Sequence, residues 1–178
     1  LLGKDTVVEN KRHLRTYEFD AKPNVLIVEA RFYDNIADMQ LQGVQTVLDR
    51  VGADYDVVTV PGALEIPAAI MYAIKGLDFD AARRRYDGYV ALGCVIKGGT
   101  MHDEIVANES ARGLQQAALD YVLAIGNGIL TCNTMDQALE RADPVRLDRA
   151  GEAAEACLRM IELKQHFRLS PKRRWVAR

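Results

Sequence analysis

Residues 91–110 read ALGCVIKGGTMHDEIVANES, an apolar run that breaks at two glycines and restarts as a polar, helix-compatible segment. Taken from Tyr89 to Ile96, the run is short, carries β-branched Val90, Val95 and Ile96 and is bounded by glycines, which suits a strand buried on both faces. Gly98 and Gly99 then leave the backbone open to a ligand, with no Cβ in the way. Thr100 offers a hydroxyl at the expected N-cap of the next helix, whose first free amides favour an anion. A phosphate would sit well there, with His102 in the same turn close enough to exchange a proton with its ester. The helix end favours the neutral imidazole, whereas a bound phosphate dianion favours the imidazolium. The stretch is neither a P-loop nor a dinucleotide fingerprint, since it lacks G-x-x-x-x-G-K-[ST] and G-x-G-x-x-G. By spacing alone the glycines also fit a plain strand-to-helix turn, and His102 a surface or capping residue.

Working outward, Asn24–Ala30 (NVLIVEA) reads as a buried strand with Phe32 beyond its carboxyl end, where ligands gather in open parallel sheets. Phe32 is a candidate stacking surface or an aromatic that covers the sheet edge. Ile36, Met39, Gly43, Val47, Leu48 and Val51 recur at helical spacing, and a second strand spans 56–60 before Pro61-Gly62. Ile66, Ala69, Ile70, Ala73, Ile74 and Leu77 mark the next helix, which Glu65 begins either as a cap or as a carboxylate for ligand hydroxyls. After the central unit a fourth strand is expected at 122–130, with Gly126 and Gly128 around Asn127 allowing close approach of a backbone or ligand. Thr134 and Gln137 form a capping-box pair for a helix over 135–142, and a last helix over 149–167 buries Ala153, Ala154, Cys157, Leu158 and Ile161. Strands that alternate with helices imply a three-layer α/β sandwich, a four-stranded parallel sheet with helices on both faces.

The 178 residues are 49% hydrophobic, enough for one cored domain at 24–168 between a charged N-terminal arm at 1–23 and a basic tail at 169–178. A net charge of −2 argues against a nucleic-acid partner, whose backbone contacts need a basic excess. No apolar run approaches the roughly 20 residues of a membrane span, so a cytoplasmic protein without a membrane partner is expected. Arg83–Arg85 reads as a solvated loop, and the tail as disordered or a subunit contact, with a polyanion site as the alternative. Cys94, Cys132 and Cys157 are odd in number and widely spaced, which fits neither a disulfide framework nor a zinc site. Cys94 is expected to pack rather than to act as a nucleophile.

Three segments together resemble the lumazine synthase family: VEARFYD at 28–34, VPGALEIP at 60–67, and the central stretch followed by GILTCNTMDQALERA at 128–142. The resemblance covers about residues 24–165 and implies a flavodoxin-like fold. It implies condensation of 5-amino-6-ribitylaminouracil with 3,4-dihydroxy-2-butanone 4-phosphate to 6,7-dimethyl-8-ribityllumazine, with no metal or redox cofactor. By resemblance Phe32 stacks on the pyrimidine, Ala63, Leu64 and Glu65 line the site, and Cys94, Val95 and Ile96 meet the ring through backbone groups. Gly99 and Thr100 bind phosphate with Arg141, His102 donates the proton, and the counterparts of Asn127 and Arg141 come from an adjacent subunit of a homo-oligomer. Asn127 stands where many relatives have phenylalanine and Arg149 where lysine is common, so Arg149 is a further phosphate candidate. The segment DPVRLD at 143–148 lacks the glycine-rich kink of sixty-subunit shells, so a pentamer is expected instead.

Overall fold

Two runs of β-branched and small apolar residues set the middle of the sheet: β1 (Asn24–Ala30) is buried at every position and β3 (Gly88–Ile96) through Cys94. The structure, a computed structural model, describes residues 15–82 and 85–169. Around that pair lie α1 (Asp34–Arg50), β2 (Asp54–Val60), a 3-10 turn at Ala63–Glu65 leading into α2 (Ile66–Phe79), and α3 (His102–Asp120). The chain continues through β4 (Ile125–Cys132), α4 (Met135–Ala142) and α5 (Arg149–His166). All pairings are parallel, in the order β2-β1-β3-β4. The chain thus winds one way from β1 and the other way from β3, which places the topological switch point at the carboxyl ends of those two strands.

Alternation along the strands divides the core into two layers. Val25, Ile27, Val90 and Leu92 face α1 and α5, whereas Leu26, Val28, Tyr89 and Ala91 face α2 and α3. All five residues expected on the last helix are buried there, but on α2 only Ile66 and Ile70 are fully buried, the other expected positions being half-covered. Gly126 settles the choice between backbone and ligand as its close neighbour, because a Cβ there would overlap the carbonyl oxygen of Ala153 on α5.

Several boundaries move for local reasons. The fourth strand begins at Ile125, not 122, because Val122 takes a left-handed backbone (φ 54°) in the turn that leaves α3. Helix α3 begins one residue later than expected: Met101 is the N-cap, and the Thr100 hydroxyl accepts from the His102 N–H at 3.4 Å. Glu65 stands at the N-cap position of α2, as expected, but its side chain makes no capping hydrogen bond. At α4 the Thr134 hydroxyl accepts from the Gln137 N–H, as the capping pair foretells, while the Gln137 side chain reaches one residue past the cap and accepts from the Asn133 N–H.

Residues 15–20 of the arm lie on this chain's own α5: Arg15 pairs with Glu162 at 2.6 Å, the Tyr17 hydroxyl donates to Glu155, and the Asp20 N–H donates to Gln165. Tyr17 and Phe19 stack on one another and pack against the α1/α5 core. The rest of the arm at 1–14, Arg83, Arg84 and the tail at 170–178 lie outside the described residues.

Candidate active site

A cavity of about 470 Å³ opens at the switch point, between the ends of β1 and β3, the 3-10 turn and the start of α3. Ten of the residues singled out in the sequence line it: Phe32, Ala63, Leu64, Glu65, Cys94, Val95, Ile96, Gly98, Thr100 and His102. Each comes from a different local rule. Strand β3 runs into the floor as Cys94, Val95 and Ile96; the Pro61-Gly62 turn releases Ala63–Glu65 onto the rim; the polar turn after Gly98 presents His102 at the first position of α3.

Phe32 leaves 73% of its surface exposed and meets Tyr33 edge-on at 5.0 Å, so it does not serve as a cover for the sheet edge. Its face is open to a flat ring. The Glu65 carboxylate lies over Gly62, where a Cβ would come within 3.0 Å of its oxygen. Gly98 lines the cavity, and Gly99 stands beside it with no atom within 4 Å of the place a Cβ would take, so the loop is open toward solvent. Burial, with Cys132 nearby, pushes the Cys94 thiol up to about 12 from its ordinary 9.0, so the sulfur stays protonated and is no nucleophile at neutral pH.

Asn127, Arg141 and Arg149 do not enter that cavity. They line a second concavity of about 380 Å³ along the free edge of β4, beside α5. The Asn127 side-chain oxygen, Oδ1, accepts from the Ile129 N–H at 3.0 Å, which leaves the side-chain amide nitrogen as the group offered outward. Arg149 pairs with Glu152 at 2.6 Å, whereas Arg141 donates only to the Gln137 carbonyl of its own helix, at 3.2 Å, and pairs with no carboxylate among the described residues. Arg141 is the freer cation of the two.

Sequence reasoning missed Tyr33, Asp103 and Val106, which also line the first cavity. Val106 was findable, since it follows His102 by four residues on one helix face. Gln40, 1% exposed, was missed as well: it falls four residues after Ile36 on the buried stripe, where a polar residue is unexpected.

A doubly wound parallel α/β sheet with an open pocket at its switch point, an exposed ring and an imidazole at a helix start defines a small-molecule enzyme of the flavodoxin-like class. Residues 22–165 match the family model described as 6,7-dimethyl-8-ribityllumazine synthase. The chain is 58% identical over 144 residues to 6,7-dimethyl-8-ribityllumazine synthase 1 of Rhizobium meliloti, an overlap of 81% of this chain and 93% of that protein. It is 56% identical over 144 residues to the synthase of Sphingopyxis alaskensis (81% and 96% of the two chains) and 54% over 145 residues to that of Agrobacterium fabrum (82% and 97%). The chain belongs to the 6,7-dimethyl-8-ribityllumazine synthase family.

Proposed function

We propose that the chain carries out its family's reaction at a site completed by two copies, one giving the cleft and the next giving the cations of the second concavity. It is a transferase of riboflavin biosynthesis that condenses 5-amino-6-ribitylaminouracil with 3,4-dihydroxy-2-butanone 4-phosphate and releases phosphate and water. One separation carries the shared-site reading: among the described residues no lysine or arginine lines the cleft that holds Phe32 and His102, whereas Arg141 and Arg149 stand together elsewhere on the same chain. A phosphate ester needs both kinds of surface.

The aminouracil brings its own amine to the ketone carbon, so no lysine nucleophile is required and the protein acts first by holding two reactants together. Phe32 stacks on the pyrimidine, the backbone of Cys94, Val95 and Ile96 meets its edge, Ala63 and Leu64 wall the ring, and Glu65 accepts from the ribityl hydroxyls. The amides at Gly99, the Thr100 hydroxyl and the guanidiniums of Arg141 and Arg149 from a neighbouring copy grip the phosphate, while Asn127 of that copy gives its amide to the ring side. His102 is the acid that protonates the departing oxygens as imine formation releases one water, elimination releases the phosphate, and ring closure releases a second water. A closed homo-oligomer follows, a ring of five by resemblance. The reading includes a cytoplasmic location; no helix among the described residues is long and apolar enough to cross a membrane.

Incubation with both substrates tests the reaction. Lumazine absorbance should appear with an equal amount of inorganic phosphate. Binding of the aminouracil without phosphate release would mark a carrier rather than an enzyme. Sedimentation as a monomer would remove the shared site.

A further inference from the structure

The two concavities are joined inside the chain by one side chain that the reaction itself does not use. Gln40, on α1, is 1% exposed, and its amide nitrogen donates to the Gly93 carbonyl at 3.1 Å and to the Gly128 carbonyl at 2.8 Å. Gly93 immediately precedes Cys94, where β3 enters the floor of the cleft. Gly128 immediately follows Asn127, where β4 enters the second concavity. Leu92 is in register with Gly128, and Gly93 with Ile129, so the two carbonyls belong to neighbouring steps of the same ladder. Both partners are acceptors, so only a hydrogen-bond donor serves at this place. Methionine would fill the same volume and leave two buried carbonyls without that donor, and glutamate would set a carboxylate oxygen against them.

We propose that Gln40 is a positioning residue for the condensation: by tying Gly93 to Gly128 it fixes where the ring-binding floor of the cleft stands relative to the strand that Asn127 offers to a neighbouring copy. The inference rests on the shared-site reading for its effect on turnover, but the clamp can be read without turnover. Helix α1 reaches both strands here, and loss of the donor lets β3 and β4 shift at the point where each one becomes part of a site. The ring substrate, which meets the β3 backbone, feels the shift. The phosphate, held by the loop after β3 and by arginines on α4 and α5, feels it less.

The experiment compares Gln40→Met and Gln40→Glu with the unmodified enzyme, under conditions where circular dichroism shows each variant folded. The expected result for Gln40→Met is a KM for the aminouracil raised about tenfold, with the KM for the four-carbon phosphate changed less than about twofold. Gln40→Glu should carry the same defect in larger form. Amide exchange at 94–96 and 128–131 should quicken about tenfold in both variants, with β1 unchanged. A space-filling role predicts a silent Gln40→Met, and normal KM values together with unchanged exchange would overturn the proposal. If the unmodified enzyme fails to condense the substrates, the proposed function falls. The exchange pattern then still decides whether Gln40 holds the two strands.

Discussion

The cleft over the ends of β1 and β3 and the concavity along β4 are built from the same sheet, yet they offer opposite chemistry. The first has an apolar floor, a ring open at 73% exposure and an imidazole, and among the described residues no lysine or arginine lines it. The second has two guanidiniums and a polar amide, with neither an aromatic nor an imidazole among the described residues that line it. On the proposed function, what a sugar phosphate and a pyrimidine need together is split across two flanks of one chain, and each pocket, considered by itself, is half of a site.

The comparison can be broken most forcefully at its catalytic end. His102→Ala should lower kcat by about a hundredfold or more with the fold intact, since His102 is exposed and its loss removes only a proton donor. Its partner on the other flank, Arg141→Ala, should cost about as much, mainly through the phosphate substrate, because a charge-assisted contact is lost. Glycines sharpen the contrast further. Gly126→Ala forces a methyl into the Ala153 carbonyl and should lower unfolding free energy by about 2–3 kcal/mol in denaturant titrations, whereas Gly99→Ala meets open space and should leave stability unchanged. Phe32→Ala should raise the KM for the aminouracil about tenfold while Phe32→Tyr keeps it near normal, because the ring's face rather than its burial matters.

A last contrast is one of pH. Burial, seconded by Glu155 at Tyr17, raises the Tyr17 and Tyr89 hydroxyls from 10.0 to about 12, and burial raises the Cys157 and Cys94 thiols from 9.0 to about 12. In each case the fold favours the protonated group. Their contribution is full below pH 9, where the unfolded groups also keep their protons, and fades as pH rises toward 12. Urea midpoints should hold steady to about pH 9 and fall above it. A midpoint that rises with pH in that range would contradict these burial assignments.

How much of this could be read from the chain alone varied with the kind of interaction. β1 and the α4 helix were legible to the residue, because a fully buried apolar run and a Thr134–Gln137 cap are local signals. The start of β4 was not, since the left-handed turn at Val122 is set by how α3 ends against the sheet and Val122 itself looks like a strand residue. Within the site, residues tied to sequence landmarks, such as His102 after the glycines and Glu65 after Pro61-Gly62, fall where the motifs point. Tyr33, Asp103 and above all Gln40 do not announce themselves: their importance comes from which strand ends lie beneath them, a matter of the winding at the switch point. The separation of Arg141 from His102 was open to the sequence only through resemblance; spacing could not supply it.

The most direct measurement of the shared site uses the two disabled chains against each other. His102→Ala and Arg141→Ala proteins, each nearly inactive, are unfolded, mixed in equal amounts and refolded together. If cleft and cations come from different copies, about a quarter of the sites receive an intact half from each, and activity returns to about a quarter of the unmodified level. If mixed oligomers form, as shown by mass, and activity stays at the level of the separate variants, the two-copy site is wrong.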